Sequence, residues 1–213
     1  MAQIRKIMTN FNSISIPEYL LYKSNIRAFD LIFEWIKYRK NEPIPEELKY
    51  PGWQTDKKNW ESPLMYWIEF RINEPIPDDI YYINCLTDTN ICHMNPLMLW
   101  IIYRNNDSNR TELPKSSHHI PEELKYPGWQ TYRDYYERLT PLMFWIQCKY
   151  TGPIPDELKY LGWQTDRNID GMTPLKLWIQ YRENETISEE LKYSGWETDI
   201  NSIRGEFVDM IYY

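Results

Sequence analysis

Three residues of this 213-residue chain have the chemistry of metal ligands at close quarters: Cys85, Cys92 and His93. Thiolates and imidazoles are zinc ligands, but a closed structural site takes four of them, and the spacing here is unlike that of zinc knuckles. No metal is expected. The acidic pairs Glu46/Glu47 and Asp78/Asp79 carry the residue types of a general acid–base dyad. As neighbours opening a helix they serve the helix dipole and solubility, and they imply no site. A cationic column, Arg39, Arg71, Arg104, Lys149 and Arg182, could form an anion-binding ladder. The expectation is instead that each snorkels along apolar surface or pairs with a carboxylate of the second helix, such as those acidic columns. His118 and His119 fall in a polar stretch and are read as solvated. The chain has no GxSxG, Walker loop or HExxH, and its 7 glycines leave little material for phosphate-cradling loops. With no nucleophile, base and orienter to assemble, no enzymatic activity and no cofactor are expected.

The ten tryptophans could stack on a ligand or on bases. Their spacing argues for a core role. A Trp-Ile pair recurs at Trp35, Trp67, Trp100, Trp145 and Trp178, at intervals of 32, 33, 45 and 33 residues. A second column, Trp53, Trp129, Trp163 and Trp196, follows the glycines of GWQT or GWET at Gly52, Gly128, Gly162 and Gly195. One residue type returning at one helical position in every copy fills the same core slot; Trp60 alone stands outside the frame. The glycine intervals are 76, 34 and 33, so a degenerate copy must occupy the first gap, and Ile76–Asp88 aligns there with Ile44–Asp56.

Internal repetition of this length means stacked supersecondary units. The organisation read from the frame is a single domain over 1–213: a capping half-copy at 1–27, copies at 28–60, 61–92, 93–136, 137–169 and 170–201, and a cap at 202–213. The long interval places an insert at 105–119, whose NNDSNRTELPKSSHH reads as a surface loop. Each copy is expected to hold two short helices. The first opens at Thr140–Met143 or Thr173–Lys176, where Thr caps and Pro sits in the first turn, and Leu175, Trp178 and Ile179 share one face. The second opens at Ile120–Leu124. Pro127 and Gly128 then supply the central residues of a type II turn, because Tyr126 before Pro127 is pushed out of helical geometry.

In the fifth copy, DGMTPLKLWI at Asp170–Ile179, with Ile187 and Gly195 following in register, resembles an ankyrin repeat, whose period is about 33 residues and whose first helix opens on TPLH. The small alanine pair of that family is replaced by Trp and Ile, and the histidine by Met or Lys. Tetratricopeptide repeats have a similar period, but their WxxLG opening is missing. The resemblance implies an all-α helical-repeat solenoid whose function is to hold another protein. Pentatricopeptide arrays, which bind RNA, fit the charge poorly: the net charge is −7 and the pI about 5.1, against the clustered Lys and Arg that nucleic-acid binding requires.

The opening residues contain no apolar run long enough for a signal-peptide core, no stretch approaches the ~20 apolar residues of a membrane span, and three cysteines make no disulfide framework. A soluble, cytoplasmic monomer is therefore expected. The partner surface is sought where the copies differ. The residue before each Trp reads Glu34, Tyr66, Leu99, Phe144, Leu177, and the one two after it Lys37, Glu69, Ile102, Gln147, Gln180. These columns are neighbours on one helical face. Tyr66, Glu69, Leu99, Ile102, Phe144, Gln147, Leu177 and Gln180 are thus the candidate binding stripe, with the inter-repeat loops beside it. The rival readings are an enzyme or metal site at Cys85/Cys92/His93 and a self-assembling structural repeat.

Overall fold

A computed structural model describes residues 28–105, 120–148, 153–182 and 185–201. The terminal half-copy, the insert beyond Asn105 with its His118 and His119, Lys149 and the C-terminal cap lie outside the described residues. Five α-helices are bounded within them: α1 (Ala28–Tyr38), α2 (Pro63–Phe70), α3 (Pro96–Asn105), α4 (Pro141–Gln147) and α5 (Pro174–Tyr181). A further helical run covers 196–201. Among the described residues the fold is all-α; its one β feature is an isolated antiparallel bridge between Lys58 and Glu61.

The helix starts follow from the sequence. Proline occupies the first helical position of α2, α4 and α5, where its missing N–H costs nothing. The residue before it caps: Ser62 Oγ accepts from Met65 N, Thr140 Oγ1 from Met143 N, Thr173 Oγ1 from Lys176 N, and Asn95 Oδ1 from Met98 N in α3.

The expected second helix does not form. Each EEL, DDI or DEL segment makes a single 3₁₀ turn: Glu46–Leu48, Asp78–Ile80, Glu122–Leu124, Asp156–Leu158 and Glu189–Leu191. A second such turn follows at Trp53–Thr55, Trp129–Thr131 and Trp163–Thr165. The reason is local. Tyr50 and Tyr126 precede proline and reject the helical region. The next residues close type II turns in which Trp53 N reaches Tyr50 O at 3.1 Å and Trp129 N reaches Tyr126 O at 3.0 Å. Gly128 has φ +82° and open space around a would-be Cβ, so its conformation and not crowding demands glycine. A segment interrupted this early is far below the ~12 residues at which an isolated helix is even marginal.

The chain divides into two compact units, Met1–Cys85 and Leu86–Tyr213. In the first, α1 packs on α2; in the second, α3 packs on α4 and α4 on α5. The tryptophans of the Trp-Ile column are all buried, as are Trp53, Trp129 and Trp163, which makes these repeated tryptophans core residues; Ile179 and Trp196 are half-buried.

Two ladders join successive copies inside each unit. Lys49 pairs with Glu46 of its own turn and Asp79 of the next copy; Lys125 pairs with Glu122 and, at 2.8 Å, with Glu157; Lys159 pairs with Asp156 and Glu190. Beside them, Gln54 Nε2 donates to Asp79 O at 3.2 Å, Gln130 to Glu157 O at 2.9 Å and Gln164 to Glu190 O at 2.7 Å. The unit boundary falls in the copy whose register positions for Lys, Trp and Gln read Tyr81, Cys85 and Leu86.

In the arginine column the side chains lie on apolar surface, and the acidic columns are not their partners. Arg39, Arg71 and Arg182 are buried, and each lies over the tryptophan of its own helix, with centroid distances of 5.2, 3.7 and 4.0 Å. Each pairs with the glutamate three residues on: Glu42, Glu74 and Glu185. The acidic pairs are engaged by the lysines instead.

Candidate functional site

The proposed stripe divides between the units. In the first, Tyr66 is buried edge-on against Phe33, ring centroids 4.9 Å apart, and beside Phe70 at 5.0 Å; Glu69 is half-buried. Burial pushes the Tyr66 hydroxyl up to about 12, with the carboxylates of Glu69, Glu61 and Glu34 adding to the shift. In the second unit Leu99 and Leu177 are buried, Ile102, Phe144 and Gln147 half-buried, and Gln180 exposed. Gln147 Nε2 donates to Tyr181 Oη at 3.1 Å, which ties α4 to α5. The stripe residues with least surface are Tyr66, Leu99 and Leu177, each of them the residue before a Trp.

Among the described residues Trp60, Ile91, Tyr135, Tyr136 and Ile169 expose apolar surface in the loops that lead to the next helix cap, while Tyr38 and the turn residues Ile83 and Leu161 are exposed outside those loops. In the second unit these loops share a construction built on one buried polar residue. Asn90 Oδ1 accepts from Cys92 N at 2.9 Å and Met94 N at 3.1 Å; Asn168 Oδ1 accepts from Asp170 N at 3.1 Å and Met172 N at 2.8 Å. Asp134 does the same with three main-chain donors, Tyr136 N and Glu137 N at 3.0 Å each and Leu139 N. A main-chain bond closes each loop at its base: Asn90 N to Met94 O, Asp134 N to Leu139 O, and Asn168 N to Met172 O. Each saturated loop holds the following residue outward. Ile91 is 59% exposed, Tyr135 70%, Tyr136 58% and Ile169 61%.

Neighbouring loops are also joined. His93 packs on Tyr135 and Tyr136, centroids 4.5 and 5.4 Å apart, and Ile169 N donates to Glu137 O at 2.9 Å. The Arg133 guanidinium spans the next pair, donating to Arg138 O at 2.9 Å and Arg167 O at 3.0 Å and pairing with Asp166. Asp166 also accepts from the Tyr160 hydroxyl. Burial would raise its carboxyl, but the Tyr160 and Arg133 hydrogen bonds and the Arg167 N–H outweigh that and hold it below the usual carboxylate range. Ile91, Tyr135, Tyr136 and Ile169 are thus carried on linked, internally satisfied loops.

The loop of the first unit has a different turn with the same outcome. Lys58 and Glu61 exchange main-chain bonds of 3.0 and 3.1 Å around Asn59 and Trp60, both with positive φ, +55° and +71°. This is a type I′ turn, in which glycine is favoured at the second central position. It is filled by Trp60, 63% exposed. The one tryptophan outside the repeat frame therefore occupies a loop tip, and a bulky residue at positive φ is a backbone outlier.

Of the remaining candidate chemistry, Cys85 lies buried in the first unit and Cys92 exposed in the second. Among the described residues no group of three His, Cys, Asp or Glu is placed to hold a metal ion. None of the described helices is long and apolar enough to cross a membrane. In the sequence Trp60 stands out of frame and the loops are accessory to the helical stripe, with nothing in the stripe's spacing that singles out their tips. The signal was available in register: Asn90, Asp134 and Asn168 align, and each is followed by Ile or Tyr. Comparison of the chain with protein-family models, with curated proteins and with solved structures gave no match in any of the three.

Proposed function

We propose that this protein is a non-enzymatic, monomeric interaction module: a helical-repeat solenoid, ankyrin-like in period and in its capped TPL helices, that holds a partner protein on its loop tips. The observation that carries this reading is the set of exposed Ile91, Tyr135, Tyr136 and Ile169 on loops whose own polar groups are satisfied internally. Rigid aromatic and aliphatic anchors lose little conformational entropy on binding, and tyrosine is enriched among interface hot spots. Apolar groups clustered at the surface mark interaction sites more often than scattered ones. The stripe takes second place, because Leu99 and Leu177 have almost no surface; Gln180, Gln147 and Phe144 would border the same partner. Single 3₁₀ turns in place of second helices make the copies thinner than ankyrin units, so the family resemblance rests on the helix-start motif and the period.

The test is affinity capture with the purified chain, bound proteins being identified by mass spectrometry, in parallel with an Ile91→Ser/Tyr135→Ser/Ile169→Ser variant. Loss of the captured protein by a variant that keeps the wild-type circular dichroism supports the tips. Capture at wild-type strength overturns them.

A further inference from the structure

Beside these tips, in the second unit, lies a cavity of about 440 Å³ lined by His93, Tyr132, Arg133, Asp134, Tyr135 and Arg138. That volume falls in the range of about 300 to 1,000 Å³ in which pockets enclose ligands. Its charges are unevenly committed. The Asp134 carboxylate is taken by three main-chain N–H groups, and the Arg133 guanidinium by two carbonyls and Asp166. Arg138 is exposed, and among the described residues no hydrogen bond, ion pair or ring contact engages its guanidinium. Among the described residues the lining therefore holds one unengaged cation, Arg138, together with the imidazole of His93 and the phenol rings of Tyr132 and Tyr135, on a chain whose net charge is −7.

The backbone adds an independent observation. His93, Arg138 and Gly171 hold the same place in three successive loops, just before the residue that closes the base, and all have positive φ, +55°, +55° and +74°. Gly171 is the residue this conformation favours. In the two loops that line the cavity, the place is given to a histidine and an arginine, against the backbone preference. Residues held against such a preference concentrate at functional sites.

We propose that this cavity receives the carboxylate side chain of an acidic segment of the partner protein, with Arg138 as its counter-ion and the His93 and Tyr135 rings against the flanking aliphatic groups. The proposal rests on the loop-tip reading above. A charge-assisted, potentially bidentate arginine–carboxylate contact also supplies orientation that apolar tips lack.

The probe is a fluorescein-labelled Leu-Glu-Glu-Leu-Glu-Glu-Leu peptide, followed by anisotropy at low and physiological salt against its Gln-for-Glu counterpart and a phosphoserine-for-Glu counterpart. The Glu peptide is expected to bind at least tenfold tighter than the Gln peptide. Arg138→Gly should cost about tenfold or more in affinity, the usual scale of a lost charged hydrogen bond, with the melting temperature unchanged or raised, since glycine relieves the strained φ. Arg138→Lys should retain most of the binding. Equal affinity for the Glu and Gln peptides overturns the proposal. So does Arg138→Gly binding at wild-type strength, Arg138→Gly melting at a lower temperature, or clear preference for the phosphoserine peptide. Should the peptide fail while the triple tip variant still loses its captured protein, the pocket assignment alone falls; should that variant keep its partner, the underlying reading falls.

Discussion

Trp145→Ala probes whether the tryptophan column is structural. Trp145 is buried on α4, and Arg182, the buried residue that ends α5 as its C-cap, lies over its ring at 4.6 Å while also lying over Trp178 at 4.0 Å. A buried aromatic side chain removes roughly 150 to 250 Å² from water, worth about 4 to 6 kcal/mol at ~25 cal/mol per Å². Alanine keeps part of that burial, and partial collapse recovers a little more, so about 3 to 5 kcal/mol should be lost, in line with large-to-small core substitutions. Removing the ring also leaves the Arg182 guanidinium without one of its two aromatic faces, which places the value toward the upper end. Trp145→Phe, which keeps a ring face, should cost clearly less than Trp145→Ala. The assay is urea unfolding of the full chain followed by far-UV circular dichroism, because tryptophan fluorescence is itself altered by the substitution. A loss below about 1 kcal/mol for the alanine variant would refute the packing argument and return the Trp column to ligand stacking.

Other expectations follow from the same geometry. Gly128→Ala should destabilise by about 1 to 2 kcal/mol through its left-handed φ alone, since nothing lies within 4 Å of the added Cβ; a neutral result in urea unfolding would show that the type II turn is dispensable. Asp166 has a lowered folded-state pKa, so its stabilising share is fully present above the ordinary carboxylate range near pH 3.9 and is lost as pH falls through the folded value. Asp166→Asn should therefore flatten the acid limb of the melting-temperature profile between about pH 5 and 2, and an unchanged limb would contradict the Tyr160–Asp166–Arg133 cluster as its source. At pH 8 iodoacetamide should label exposed Cys92 well before Cys148, whose thiol burial pushes up to about 11, and before buried Cys85; peptide mapping that finds Cys148 labelled first would reverse the burial assignment.

The period, the extra copy hidden in the 76-residue gap, the capped TPL helices and the type II turns could all be read from the chain, because each depends on residues a few positions apart. The second helices could not. Pro and acidic residues at Ile120–Leu124 give a sound helix start, but a start does not set length, and Lys125 already leaves the helical region at φ −87°, ψ 132°. Copies two, four and five make the same 3₁₀ turn with Ile83, Leu161 and Ser194 where copies one and three have proline, so proline is not the whole reason; the tyrosine hydroxyl bonds an aspartate six residues on in copies one, four and five, at Tyr50–Asp56, Tyr160–Asp166 and Tyr193–Asp199. The arginine partners were not legible for a related reason: Glu42, Glu74 and Glu185, three residues on, are nearer partners than any column in another element. Within the stripe, helical spacing shows that Leu99 and Phe144 share a face but not how deeply the face is covered. The loop tips recur in register after Asn90, Asp134 and Asn168, but they show no helical or strand spacing, and Ile91 or Ile169 in isolation would read as ordinary apolar residues. Their exposure follows from Asn90, Asp134 and Asn168 closing the loops from within.

The proposed assignment of Ile91, Tyr135, Tyr136 and Ile169 to a partner surface can be measured. The direct measurement is the dissociation constant of the captured partner for the wild-type chain and for the variant with all four changed to serine, at matched salt. The account predicts at least a hundredfold loss of affinity, since truncated hot spots cost about 1 to 4 kcal/mol each and a factor of 10 is about 1.4 kcal/mol, with the melting temperature within about 3 °C of wild type. An unchanged dissociation constant, or a variant that no longer folds, would contradict it.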